Sequence, residues 1–185
     1  MSFCFVLLTS VSVVLYFLRC SPLIGCLNIL FLSLLSAVNL YEIVLSQTVK
    51  YYSLYSGFLV ILSPFKKETI DLGVYLDLYS SHMIWLVYSI SFLVHFYSLS
   101  YMKEDPRISL FILYLSLFTG GMVVLLVSPN YVQLFIGWEL VGLTSYKLVN
   151  FWYTRTAANK AALKALIVNR VGDYFFLFFL FLLVP

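Results

Sequence analysis

ISLFILYLSLFTGGMVVLLVSPNYVQLFIGWE, residues 108–139, is the stretch whose reading decides the fold. Residues 108–138 hold no Asp, Glu, Lys or Arg, and the run is broken only by the turn signal Ser128-Pro129-Asn130. Two apolar runs of this length flanking a turn predict two membrane-spanning helices. A helix restarting after Asn130 places Glu139 roughly 13 Å along its axis, near the middle of a hydrocarbon core ~30 Å thick. An ionisable group at that depth costs at least a few kcal/mol unless it is paired or hydrated, and it marks a proton or ion path. The alternative is a structural carboxylate capped by hydrogen bonds from a neighbouring helix.

Working outward, the whole chain has the same character. Of 185 residues, 63% are hydrophobic and 10% charged, against about 25% charged in soluble domains. This predicts an all-α integral membrane protein. A net charge of +3 without a basic block gives no footprint for nucleic acid. Cys4, Cys20 and Cys26 lack metal-ligand spacing and read as packing thiols. Met1 to Leu18 lacks a charged leader and a convincing cleavage site, which favours a retained first helix over a signal peptide.

Six spans are expected: Ser2 to Leu18, Leu23 to about Leu45, Leu78 to Met102, Ile108 to Val127, Tyr131 to Tyr153, and a sixth from near Ala157 to Pro185. They divide the chain into two N-terminal helices (1–45), an interfacial loop or short hairpin (46–77) and four further helices (78–185). The connecting piece is tyrosine-rich and carries Pro64, Lys66, Lys67, Glu68 and Asp71; its Leu72 to Leu76 run has the pattern of a short strand. Arg19, then Lys103 and Arg107, then Arg155 and Lys160 follow the odd-numbered spans, and the turn after the fourth has no cation. Odd-numbered loops, and both termini, are therefore expected on the cytoplasm or matrix side. Lys50, Lys66 and Lys67 after the second span point the other way.

Several polar groups stand out. On the fifth span Gly142, Tyr146 and Asn150 fall within about 60° of Glu139 around the helix. This narrow stripe reads as an inward face, with Gly137 and Gly142 allowing a neighbouring backbone close. Lys147, nearer the end, reads as a snorkelling cation. The sixth span puts Lys160 and Lys164 on one face and Asn169, Arg170 and Asp173 on roughly the opposite one. Arg170 and Asp173 can neutralise each other, as a structural ion pair or as part of a path. Lys164 has no carboxylate one turn away, and Glu139 is its expected counter-ion. On the third span His95 shares a face with Ser91 and Ser98; it reads either as a proton relay or as a hydrogen-bonded core histidine. His82 reads as interfacial. Nucleotide, flavin and metal motifs are absent from the sequence, so no cofactor is expected in this chain.

Val94-His95-Phe96-Tyr97-Ser98, Gln133-Leu134-Phe135-Ile136-Gly137-Trp138-Glu139, Ser145-Tyr146, Asn150-Phe151-Trp152, Ala158-Asn159-Lys160-Ala161-Ala162 and Asn169-Arg170-Val171-Gly172-Asp173 occur in this order. Together they resemble the N-terminal part of the NADH dehydrogenase subunit 5 family, the largest antiporter-like membrane subunits of respiratory complex I. The resemblance is dense over residues 78–173. It implies that Glu139 is the buried glutamate of proton translocation and that Lys164, Arg170 and Asp173 belong to the charged face of the sixth helix; His95 is carried as a further candidate for the same path on its own reading as a relay. It also implies a fold of two inverted five-helix repeats, of which helices four to six open the first.

In that family a broken seventh helix carries a lysine that pairs with the glutamate, and the sequence ends before it. A separate chain supplying the later helices is therefore expected, as are other membrane-arm subunits and a lipid bilayer as partners. The resemblance places the chain in the mitochondrial inner membrane. FMN, iron-sulfur clusters and quinone are expected in other subunits, which drive the proton path by electron transfer. Thr144 and Lys147 depart from the family pattern. Two other expectations remain open at the sequence level: a subunit of a sodium/proton antiporter complex, or a scaffold fragment with structural charges only.

Overall fold

The computed structural model describes residues 22–46, 50–55 and 72–183. Over these the order is α1 (Pro22–Ser46), β1 (Lys50–Tyr55), β2 (Leu72–Leu76), α2 (Leu78–Tyr101), α3 (Ile108–Val127), α4 (Tyr131–Val149) and α5 (Thr156–Leu183). The five helices correspond to the second through sixth expected spans. The first expected span, Ser2 to Leu18, with Cys4 and Cys20, lies outside the described residues.

Four helices among the described residues are long and apolar enough to cross a membrane: Pro22–Leu45, Leu78–Tyr101, Ile108–Val127 and Thr156–Leu182. The helix α4 falls outside that group, and it is the one that carries Gln133, Glu139 and Lys147. It packs between α3 and α5, so part of its polar surface is turned toward protein.

Helix boundaries follow local chemistry. Pro22 opens α1, where its missing N–H would have no intrahelical partner in any case. Asp77 caps α2: its carboxylate accepts from the Leu78 N–H at 2.5 Å, while the Ser80 hydroxyl accepts from the Asp77 N–H at 2.7 Å. Ser128, preceding Pro129, is extended (φ −68°, ψ 121°) and stops α3. The expected fifth span ran to Tyr153, but α4 ends at Val149. Asn150 leaves helical geometry (φ −89°, ψ 20°), and Phe151 to Thr154 form a turn. In that turn Phe151 and Tyr153 lie over the Arg107 guanidinium, with ring centroids 5.7 and 5.3 Å away, a better place for aromatics at a membrane boundary than another helical turn.

The strand expected at Leu72–Leu76 is present, and its partner is β1, which the sequence reading did not foresee. The pair is antiparallel, with Lys50 opposite Leu76 and Tyr52 opposite Val74. The hairpin packs against one end of the bundle. Val74 and Leu76 are buried in one cluster with Leu32, Ile43, Ile84, Tyr88, Val123 and Val127.

The helix interfaces are partly polar. In α2 the buried positions are Ser81, Ile84, Tyr88, Ser91, His95 and Ser98, an i, i+3, i+7 stripe. Leu86, Ile90, Leu93 and Phe96 face outward. This is the arrangement lipid favours, because a hydroxyl in hydrocarbon costs several kcal/mol unless bonded: here Ser81 donates to the Leu78 carbonyl at 2.8 Å and Ser98 to that of His95 at 2.7 Å, while the Ser91 hydroxyl lies 3.3 Å from His95 Nδ1.

The α3–α4 contact is set by glycine. A Cβ on Gly137 would lie 2.7 Å from the backbone nitrogen of Leu125, so the two main chains touch there. Gly121 makes a second, looser approach to Leu140 and Val141 (3.2–3.3 Å), whereas Gly120 faces open space.

Candidate functional site

Glu139 is the ninth residue of α4, near its middle, on the side turned to α5. The two helices run antiparallel, as the pairs Phe135–Phe176, Trp138–Asp173 and Glu139–Arg170 show. Phe135 and Phe176 stack with centroids 5.8 Å apart and an interplanar angle of 8°. Next along the seam, the Trp138 indole N–H donates to Asp173 Oδ1 at 3.0 Å. Arg170 Nη1 then donates to Glu139 Oε1 in a direct ion pair, and the same nitrogen is 4.0 Å from Asp173 Oδ2. Farther on, Gly142 leaves room for the Asn169 amide, whose Nδ2 is 3.9 Å from where a Cβ would stand.

The cluster thus holds one guanidinium between two carboxylates. Arg170 and Asp173 project from the same face of α5 because they are three residues apart. Asp173 is almost fully enclosed, its side chain 9% exposed, while Glu139 and Arg170 are 33% and 41% exposed. The open sides of Glu139 and Arg170 leave room for a further charged group or for water. One cation shared between two acids has two arrangements available, and protonating either acid favours the other arrangement. That is the chemistry a proton path requires.

This geometry corrects one expectation. Glu139 pairs with Arg170, and Lys164 is exposed with no ion-pair partner among the described residues. Lys164 precedes Arg170 by six residues, about 9 Å along the helix axis, and lies on the face of α5 that turns away from Glu139. The expected stripe of Glu139, Gly142, Tyr146 and Asn150 borders α5 but is only half-buried; the enclosed positions of α4 are Gln133, Gly137 and Thr144. At the far end of the stripe the Asn150 amide donates to the Tyr146 hydroxyl at 3.4 Å, and its Oδ1 is buried with no hydrogen-bond partner among the described residues. Lys147 is exposed, its ammonium 5.8 Å from the Tyr146 ring centroid, in keeping with a snorkelling cation.

His95 lies elsewhere, between α2 and α3, and does not join the charge cluster. It is completely buried. Its Nδ1 is 2.8 Å from the Ser91 carbonyl and 3.3 Å from the Ser91 hydroxyl, and its Nε2 is 3.3 Å from the Ser116 hydroxyl. The hydroxyl stripe of α2 thus meets a second one, Ser116 and Thr119 of α3. His82 is exposed, with Nδ1 2.7 Å from the Leu78 carbonyl.

Two contributors escaped the sequence reading. Trp138 looked like one more apolar residue, although an indole N–H in a membrane span needs an acceptor. Gln133 signalled itself as an amide inside an apolar run. It accepts from the Gly73 N–H at 3.2 Å and donates to the Gly73 carbonyl at 2.9 Å, tying α4 to the hairpin.

Residues 64–112 match the family model described as "NADH-Ubiquinone oxidoreductase (complex I), chain 5 N-terminus". Residues 128–184 match that of "NADH:quinone oxidoreductase/Mrp antiporter, TM". The two matches take in more than half of the chain, with His95 in the first and Trp138, Glu139, Lys164, Arg170 and Asp173 in the second. The chain belongs to the complex I chain 5 family.

Among chain 5 relatives, the NADH-ubiquinone oxidoreductase chain 5 of Allomyces macrogynus is 44% identical over 166 residues, 88% of this chain and 25% of its own length. That of Dictyostelium discoideum is 49% identical over 144 residues (78% and 21%). That of Metridium senile is 57% identical over 101 residues (55% and 17%). The chain therefore spans about a quarter or less of these chain 5 proteins. The fold is also that of a chain in the structure of the membrane-bound sulfane sulfur reductase, an archaeal respiratory membrane complex. There the TM-score is 0.66 at 17% identity, over 94% of this chain and 34% of the other. Helices that cross a membrane and this family place the chain 5 homologue among multi-pass membrane proteins.

Proposed function

We propose that the chain is the N-terminal, proton-translocating part of a chain 5 subunit of NADH:ubiquinone oxidoreductase, in the mitochondrial inner membrane. The observation that carries this reading is the Glu139–Arg170–Asp173 cluster at the centre of α4 and α5. A proton entering Glu139 neutralises the carboxylate and weakens its hold on Arg170, and Asp173 is the acceptor next in reach. When a cation returns to Glu139, the ionised form is favoured again and the proton is released. A lysine on a later helix of the subunit is the proposed source of that cation, with Lys164 outside the cluster on the opposite face of α5 and His95 as a separate relay.

Moving each proton outward costs about 2.3 kcal/mol per 100 mV of membrane potential. That energy comes from NADH oxidation and quinone reduction, with FMN, iron-sulfur clusters and quinone held in other subunits and no redox centre in this chain. The partners are the other membrane-arm subunits and the part of chain 5 that the matched quarter leaves out. A mass-spectrometric inventory of the purified complex tests both.

The decisive experiment is Glu139→Gln in the assembled complex. Normal assembly with reduced proton pumping is expected; unchanged pumping in an intact complex would sink the proposal. The joint description of residues 128–184 with the Mrp antiporters supports a second reading, a subunit of a sodium/proton antiporter complex. Co-purification with flavin and iron-sulfur subunits separates the two readings.

A further inference from the structure

We propose that Trp138 is a positioning residue of the charge cluster: its indole N–H fixes Asp173 so that the second carboxylate oxygen stays turned to Arg170. This rests on the translocation role proposed for Glu139.

The two oxygens of Asp173 have different surroundings. Oδ1 is taken by the indole at 3.0 Å, and Oδ2 lies 4.0 Å from Arg170 Nη1. A guanidinium carries five N–H donors in a fixed fork, and one of them already reaches Glu139. A displacement of about 1 Å closes the remaining gap to hydrogen-bonding distance. The second acceptor is thus already in place and only the cation has to move.

Once Glu139 is protonated, Asp173 is the one carboxylate left beside Arg170 among the described residues. The proton comes to Glu139 from the path and leaves by it, and Asp173 stays ionised throughout. Without the indole bond the Asp173 carboxylate is free to rotate, and Oδ2 loses its aim at the guanidinium.

The ring itself supports this assignment. Trp138 is 55% exposed, so most of its surface faces outward. Packing into the protein core does not account for its position, and a phenylalanine would serve a lipid-facing site equally well. The N–H is what the inward edge contributes, and it meets the best-enclosed charge of the cluster. Trp138 also adjoins Glu139 in sequence, so a single turn of α4 supplies both the proton-binding carboxylate and the group that orients its alternative.

The test is made in the assembled complex, measuring protons pumped per NADH oxidised and normalising to complex content. Trp138→Phe removes the donor and keeps a ring; Trp138→Gln and Trp138→His each return an N–H at similar reach. Expected is a loss of roughly tenfold or more for Trp138→Phe, since misplacing a reacting group by about 1 Å costs up to ~100-fold. Most of the wild-type value should return in the Gln or His variant. In an Asp173→Asn background, Trp138→Phe should add no further loss.

Wild-type pumping by Trp138→Phe overturns the assignment, as does an equal loss in all three Trp138 variants. Should Trp138→Phe not assemble, Trp138→Gln decides: near-normal pumping supports the role, and a loss as large as that expected for Phe overturns it. Glu139→Gln run alongside separates the two layers. If it pumps normally the translocation reading itself fails; if it is impaired while Trp138→Phe is not, only the Trp138 role fails.

Discussion

Replacing Gly137 by alanine asks whether direct backbone contact sets the α3–α4 seam. The new Cβ would lie 2.7 Å from the Leu125 nitrogen, 2.9 Å from its Cα and 3.1 Å from its Cβ. Favourable contact begins near ~3.5 Å, so the helices must part by about 0.8 Å at this level, and backbone atoms of a regular helix cannot turn aside as a side chain can. Overpacking of this kind costs about 1–3 kcal/mol, and the value here belongs toward the upper end. Alanine regains about 1 kcal/mol of helix propensity over glycine. The net loss is therefore on the order of 1–2 kcal/mol.

Four other glycines supply internal controls. Gly120 and Gly172 have nothing within 4 Å of an added Cβ, and Gly142 has only the Asn169 amide at 3.9 Å. There the propensity term stands alone, and alanine should be neutral or stabilising by up to about 1 kcal/mol. Gly121, at 3.2–3.3 Å from Val141 and Leu140, should fall between. The assay is an SDS titration of the purified chain in bicelles, followed by circular dichroism. A Gly137→Ala midpoint equal to or above that of Gly120→Ala would refute the reasoning, because the two substitutions differ in the neighbouring backbone and in little else.

Two further outcomes are expected. Gln133→Leu strands the N–H and C=O of Gly73 in a buried site, at about 1–3 kcal/mol for each group left unpaired; hydrogen exchange at Gly73 should accelerate while exchange in the middle of α3 does not. Asp77→Ala removes the cap of α2 at a cost of about 0.5–2 kcal/mol, read as faster exchange confined to the first turn of that helix.

The helices were legible from the sequence because membrane spans announce their ends. Lys103 to Arg107 and Ser128-Pro129 bracket α3 at Ile108 and Val127, where charge and proline make continuation costly. The β2 strand could be read from its own residues, but its pairing with Lys50–Tyr55 could not, because register is a property of two segments. The Glu139–Arg170 pair was missed in favour of Lys164 for a related reason. The rotation of α5 about its axis decides which cation meets Glu139, and that helix exposes Ile167, Val168, Val171 and Phe175 as freely as its lysines. With apolar residues on every side, its composition names no buried face. Trp138 was hidden by its ring: hydropathy counts the carbon surface, while the role of the residue rests on one hydrogen.

The two sides of α4 differ in what they allow to move. Toward α3 it is main chain against main chain at Gly137, a lock-and-key fit that resists sliding by even one residue. Toward α5 it is joined through the ends of long side chains, which can exchange partners while both helix axes stay still. The degrees of freedom left to this unit therefore sit in the same seam as its charges. A cation shifting by an ångström there needs no rearrangement of the fold, so a change of charge partner can be confined to a guanidinium and leave the helices where they are.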